Sequence, residues 1–315
     1  MEIKNVCDIL IENSINKTLN ENTIIKQPEI IGNIITEGYS KSIVSDICNV
    51  IPLTKPTGYV FGVKSNEDGS IKLVKNMVEV KDHIKNTNIT KETIDDIFSQ
   101  YNKDGVKLIT NLIKRDLFLE QDYNVIKYIN KIAKKVPDLI VPNSGDMDGE
   151  VTKLMGFIDA VALEMAYDLK TNVKGFIIAS PIVMGLLQKD DNVIPKNKEE
   201  LLSYVGSVRQ RDLFCDYNAE EEYIIVGLNP SKDLRGITFC PYNIEINYHD
   251  IYQDGSKMIR INNRYGFIRN PLDNEGDDNS RFFVKAKVKF SQEYADFNEF
   301  VEAFNSQITK NTDPE

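Results

Sequence analysis

Tyr59-Val60-Phe61-Gly62-Val63, then Asn66-Glu67-Asp68-Gly69, then the run from Ile71 to Val80 read together as a β-hairpin. Asp-Gly between two β-prone runs is a strong local hairpin signal. Apolar residues sit on both strands: Val60, Phe61 and Val63 on the first, and Ile71, Leu73, Val74, Val78 and Val80 on the second. A lone two-stranded hairpin is marginal in water, and an uncovered flat edge invites aggregation. This surface therefore needs a partner, of which the simplest is the chain's own core.

Upstream, residues 1–45 are polar and rich in Asn and Ile, the character of an extended arm. Ser45-Asp46-Ile47-Cys48-Asn49-Val50-Ile51-Pro52-Leu53 reads as a short apolar strand ended by proline, and Lys55-Pro56-Thr57-Gly58 as a turn. Downstream, Thr90 is a good helix N-cap, with Ile89 and Ile94 placed as a hydrophobic staple. That first helix stops at Asn102-Lys103-Asp104-Gly105. A longer one is expected from Val106 to Val136, stopped by Pro137, with Leu108, Ile109, Leu112, Leu119, Tyr123, Ile126 and Ile129 toward one face. At 1.5 Å per residue it would be about 45 Å long.

A third helix is expected over Thr152–Leu169. Gly175-Phe176-Ile177-Ile178-Ala179-Ser180 reads as a buried strand, and Pro181 is well placed to start a short helix. Strands are then expected over 212–216, 223–227, 236–241 and 258–270. From Val284 to Phe290 the residues alternate, with Lys285, Lys287 and Lys289 on a face read as solvated, or turned toward DNA or a neighbour. Phe297, Phe300, Val301 and Phe304 suggest a closing helix.

The 315 residues can bury a substantial core, and 41% hydrophobic with 27% charged residues is ordinary for a globular protein. No run is long and apolar enough to span a bilayer, and the first residues carry no secretion signal. Thirty-eight basic against 48 acidic side chains leave a net charge of −10, which argues against a DNA or membrane binder. The same acidity suits a container for DNA, whose wall should not grip phosphates. Cys7, Cys48, Cys215 and Cys240 stand alone, and His83 and His249 lie far from them in sequence, so zinc spacing is absent.

Gly62-Val63-Lys64-Ser65 lacks the spacing of a phosphate loop, and no G-x-S-x-G or H-E-x-x-H occurs. Two acidic stretches, Asp146-Met147-Asp148-Gly149-Glu150 and Asp273-Asn274-Glu275-Gly276-Asp277-Asp278-Asn279, do not fit the calcium loop and read as solvated turns. The residues offer no catalytic constellation, no metal site and no cofactor site.

Four collinear segments between about 45 and 272 resemble the major capsid proteins of T-even-type tailed phages. They are Ser45–Val50 with Pro52 and Pro56-Thr57-Gly58; the helix pair between Thr90 and Ile129; Gly175–Ser180 with Leu213-Phe214-Cys215-Asp216 and Tyr223-Ile224-Ile225-Val226-Gly227; and Gly236-Ile237-Thr238-Phe239-Cys240-Pro241-Tyr242 with Arg264-Tyr265-Gly266-Phe267-Ile268 and Asn270-Pro271. The resemblance implies an α+β chain with the tailed-phage major capsid protein fold, shared with encapsulins. It implies an N-terminal arm at 1–45 and an extended hairpin loop at 58–88. A peripheral domain would take 46–57, 89–175 and 258–295, with its spine helix at 106–136. An axial domain would take 176–257, and a C-terminal helix and tail 296–315. By this comparison neither the inserted domain nor the long cleaved N-terminal segment of the T-even protein is expected here.

By the same resemblance the chain is a structural subunit of an icosahedral phage head. It would assemble with itself into hexamers and pentamers around double-stranded DNA, with scaffold and portal proteins as partners and no membrane. Assembly would take place in the host bacterial cytoplasm. The hairpin would reach across a neighbouring subunit, so Val60, Phe61, Val63, Asp68, Gly69, Ile71, Leu73 and Val74 are expected intersubunit contacts. Arg264, an arginine beside an aromatic in β-structure, joins them as a planar anchor. A pentameric vertex protein, an encapsulin-like compartment subunit and a soluble α/β enzyme using the acidic loops are the alternative readings.

Overall fold

The computed structural model describes residues 8–14, 42–65, 71–141, 147–195, 203–231, 234–250, 255–274 and 276–290. Residues 8–14 form helix α1. Beyond residue 41 come α2 (Val44–Ile47), β1 (Asn49–Val50), β2 (Thr57–Ser65), β3 (Ile71–Glu79), β4 (Lys81–Ile89), α3 (Lys91–Tyr101) and α4 (Gly105–Ile132). The middle holds β5 (Lys134–Lys135), β6 (Leu139–Val141), α5 (Met147–Leu169), β7 (Gly175–Ala179), α6 (Pro181–Leu187) and β8 (Ile194–Pro195). After these come β9 (Tyr204–Val208), β10 (Arg211–Cys215), β11 (Tyr223–Leu228), β12 (Ile237–Asp250), β13 (Lys257–Arg269) and β14 (Phe283–Phe290). The chain divides into two compact units, 1–125 with 237–272 and 126–236 with 273–315.

The first unit is built on a four-stranded sheet in the order β1-β12-β13-β4. β12 and β13 pair antiparallel from Ile237↔Arg269 to Asp250↔Lys257, with a register shift between Pro241 and Asn243. Proline has no N–H to give a ladder, which is why such breaks collect at prolines. β4 pairs along its whole length with β13, from Lys81↔Tyr265 to Ile89↔Lys257. The hairpin reading of 58–88 thus covers two things, the β2–β3 hairpin proper and an edge strand of this sheet. Local signals hold well here. Thr90 Oγ1 accepts from the Thr93 N–H to cap α3, and Asn102 leaves α3 in the left-handed region at φ 50°. Asp104 Oδ1 then accepts from the Lys107 N–H at the start of α4.

Two expectations shift in this unit. The stretch 45–53 is not one strand: Ser42 Oγ accepts from the Val44 N–H and the Ile43 carbonyl from the Ile47 N–H, so the chain makes a helical turn before β1. Burial of Ile43, Val44 and Ile47 stabilises that turn. Along α4, Leu112 and Leu119 are exposed, whereas Leu117, Phe118, Gln121, Asp122, Val125, Ile126, Ile129 and Ile132 are buried. Three polar residues, Thr110, Gln121 and Asp122, occupy buried positions, so apolar spacing found Ile126 and Ile129 but not the rest of the inward face.

The second unit is built on a mixed sheet in the order β5-β14-β11-β7-β10-β9-β8, with β6 beside β14. Every residue of β7 and β11 is buried, so these strands read as continuous apolar runs rather than alternations. Their backbones approach so closely that a Cβ on Gly175 would stand 2.0 Å from the Gly227 carbonyl oxygen. One core joins the sheet to α5 and α6 through residues such as Leu154, Ile158, Ala162, Ile177, Val183, Leu213 and Val226.

In this unit α4 ends at Ile132, four residues short of the expected Val136. Lys134 and Lys135 pair in parallel with Val284 and Lys285, and the Val136 N–H donates to the Lys285 carbonyl. The residue before proline disfavours the helical region in any case. α5 starts earlier than expected, at Met147. The lysine face of β14 is not bare. Lys285 is buried, with its ammonium 2.7 Å from Glu221 Oε1 and over the Tyr223 ring, while Lys287 meets Glu221 Oε2 and Lys289 meets Asp138. β12 pairs with β13 and, between elements far apart in the chain, β14 pairs with β11. The closing helix expected over 297–304 lies outside the described residues, as does most of the arm.

Candidate assembly surface

The register of the hairpin sorts its side chains onto two faces. Tyr59 lies opposite Met77, Phe61 opposite Lys75 and Val63 opposite Leu73, while Gly58 faces Val78 and Val60 faces Asn76. Successive side chains of a strand point to opposite sides, so Tyr59, Phe61, Leu73, Lys75 and Met77 share one face and Val60 and Val78 the other. The second face is anchored in its own unit. Val60 and Val78 are buried in a cluster with Leu53, Val80 and Cys240, bordered by Ile51, Tyr242 and Ile268. A Cβ on Gly62 would stand 3.0 Å from the Pro271 side chain, so glycine lets the strand lie close there.

The first face is open. Tyr59, Phe61, Leu73 and Met77 are 53–63% exposed, with the Tyr59 and Phe61 ring centroids 6.4 Å apart and the Lys75 ammonium 5.1 Å from the Tyr59 ring centroid. Completing the burial of four such side chains is worth on the order of 1 kcal/mol each. That is a useful reserve for association and a liability for a subunit that stays alone.

Of the residues singled out in the sequence, Phe61 and Leu73 stand on the open face, Val60 on the anchored one and Val74 half-buried beside it. Val63 and Ile71 are in the strands with side chains outside the description, and Asp68 and Gly69 lie outside the described residues. Tyr59 and Met77 were missed. Strict two-residue alternation along Tyr59, Phe61 and Val63 was the signal that would have found Tyr59, since it separates these three from Val60.

Arg264 is placed inside the first unit's sheet. It lies opposite Asp82 in register, with Nε 2.8 Å from Asp82 Oδ1 and its guanidinium 5.3 Å from the Tyr242 ring centroid. Next to it, His83 stacks on Tyr265 at 3.9 Å, and burial lowers the pKa of its imidazole. Both residues stiffen the β4–β13 seam.

The side chains that could do chemistry are committed elsewhere. Burial raises the Cys215 and Cys240 thiols to about 12, far from a reactive thiolate. Tyr223 donates to Asp216 Oδ2, and Ser180 to Glu222. Lys285 and Lys287 hold the Glu221 carboxyl below its ordinary pKa. In the second acidic loop, Asp273 accepts from the Arg281 N–H and the Ser280 hydroxyl, and Asp278 meets Lys135. Among the described residues no group of three or more His, Cys, Asp or Glu could hold a metal ion, and no helix is long and apolar enough to cross a membrane.

Residues 64–295 match the family model of major capsid protein Gp23. No curated protein matches the sequence. Among solved structures, the mature capsid of bacteriophage PhiM1 is similar at a TM-score of 0.50 and 12% identity, over 80% of this chain and 88% of that one. A chain of Microbacterium phage Oxtober96 is similar at 0.50 and 9%, over 79% and 91%. The SrpI encapsulin complex of Synechococcus elongatus PCC 7942 is similar at 0.50 and 10%, over 90% and 98%. At these identities the likenesses speak for a common fold.

Proposed function

This chain belongs to the major capsid protein Gp23 family, and from that premise we propose how it builds its shell. It is a structural, non-enzymatic subunit of the phage capsid, and it assembles with copies of itself. In our reading the copies form hexamers, with pentamers at the vertices, around double-stranded DNA. The first unit acts as the peripheral domain and the second as the axial domain. The hairpin lies across a neighbouring subunit with Tyr59, Phe61, Leu73 and Met77 facing down onto it, while Val60 and Val78 hold its base in its own subunit. Scaffold and portal proteins would join during assembly in the host bacterial cytoplasm. The net charge of −10 supports a wall that encloses DNA without gripping it.

The observation that carries this reading is the two-faced hairpin, anchored on one side and open on the other. The test is a variant with Tyr59→Ser, Phe61→Ser, Leu73→Ser and Met77→Ser together. The purified subunit should keep its helix content and cooperative melting yet form no closed particles by electron microscopy. Intact shells, or outright misfolding, would overturn the contact.

A further inference from the structure

A buried polar chain runs through the first unit and ends on a carboxyl group. Asn263 on β13 donates from Nδ2 to Gln121 Oε1 at 3.0 Å, Gln121 donates from Nε2 to Ser42 Oγ at 3.2 Å, and Ser42 donates to Asp122 Oδ1 at 2.5 Å. All four residues are buried. The Ile43 N–H also supports the Asp122 carboxylate. Ser42 and Ile43 lead into α2, whose Val44 and Ile47 are buried, so the chain ties that segment to α4 and β13.

The recorded direction leaves one flaw. Every donor points toward Asp122, the arrangement an ionised carboxylate requires, but Asn263 Oδ1 then has no hydrogen-bond partner. Run the chain the other way, with both amides turned over, and each link is still satisfied, with Asn263 Nδ2 then taking the place of Oδ1 at the position without a partner. A neutral Asp122 donates to Ser42, Ser42 donates to Gln121 Oε1, and Gln121 Nε2 donates to Asn263 Oδ1. Ser42 Oγ keeps the Val44 N–H as a second donor, within the capacity of a hydroxyl. Which way an amide points is an assignment from its partners, so both directions are available to the same heavy atoms.

We propose that this chain is a proton-operated latch: Asp122 seats the 42–47 segment more firmly when neutral than when ionised. Among the groups around it, burial decides the sign. Burial disfavours the charged form most, and Asp46 on α2 adds its repulsion, while Ser42 and Ile43 oppose both; the balance raises Asp122 from 3.8 to about 7. Tyr265 on β13 also faces it, as a phenol whose own pKa is raised by burial. Because the value is raised in the seated state, the seated segment holds a proton between these limits that the opened one has released. Seating is strongest below about 3.8, weakens as pH rises through the window and levels off above about 7.

Hydrogen exchange on the full-length unassembled subunit tests this. Protection of the 43–48 amides, corrected for intrinsic exchange, should fall at least tenfold between pH 5 and pH 8. Asp122→Asn, which cannot ionise, should show no such fall. Asp46→Asn should keep the fall but move its midpoint to lower pH, and this arm remains informative if Asp122→Asn does not fold. Protection in the wild type that does not change with pH, or an Asp46→Asn midpoint that stays put or rises, would overturn the latch.

Discussion

The inner sheet of the second unit and the hairpin of the first are both rich in apolar residues, and they use them in opposite ways. β7 and β11 bury every residue inside one subunit, between neighbouring strands and beneath α5 and α6. The hairpin buries one face at home and presents the other, Tyr59, Phe61, Leu73 and Met77, to whatever lies outside. The contrast separates apolar surface that folds a subunit from apolar surface that joins subunits. Hydrophobic burial is non-directional, so the same residue types serve both ends. The difference lies in whether the chain itself supplies the second wall.

Substitutions should grade along that contrast, and each is read by chemical denaturation of the purified subunit. Leu213→Ala on β10, a fully buried site in the inner core, should cost the most, about 2–5 kcal/mol. A cost under 1 kcal/mol would mean that the inner sheet is not the source of subunit stability. On the hairpin, Val60→Ala should cost about 1–2 kcal/mol, whereas Phe61→Ala, one residue on but facing outward, should stay within about 0.5 kcal/mol. Equal costs at the two positions would erase the distinction between the faces. Arg264→Lys keeps the charge beside Asp82 but gives up the planar group over Tyr242, and should cost about 0.5–1 kcal/mol. No measurable change there would remove Arg264 from the groups that stiffen the β4–β13 seam.

The elements that were legible in the sequence are those governed by neighbours in the chain. Thr90 and Asn102 delimit α3 through hydrogen bonds a few residues long, and the pairing of Thr57–Ser65 with Ile71–Glu79 follows from two β-prone runs around a turn. The run Gly175–Ala179 could only be an interior strand. Less legible was the inward face of α4. Gln121 and Asp122 are buried there because Ser42 and Asn263 meet them, and those partners lie far away along the chain. Lys285 misled for the same reason, since its burial depends on Glu221, 64 residues earlier.

Sequence alone therefore determined the long helices, the hairpin and the buried strands Gly175–Ala179 and Tyr223–Leu228, because propensity, capping and spacing act over a few residues. Collinear short segments were enough to place the family. Only the tertiary structure decided which hairpin face is open, how β12 and β14 find their sheets, and where polar side chains could be buried. Those outcomes turn on register and on partners brought together from distant positions, and a one-residue change of register exchanges the two faces of a strand.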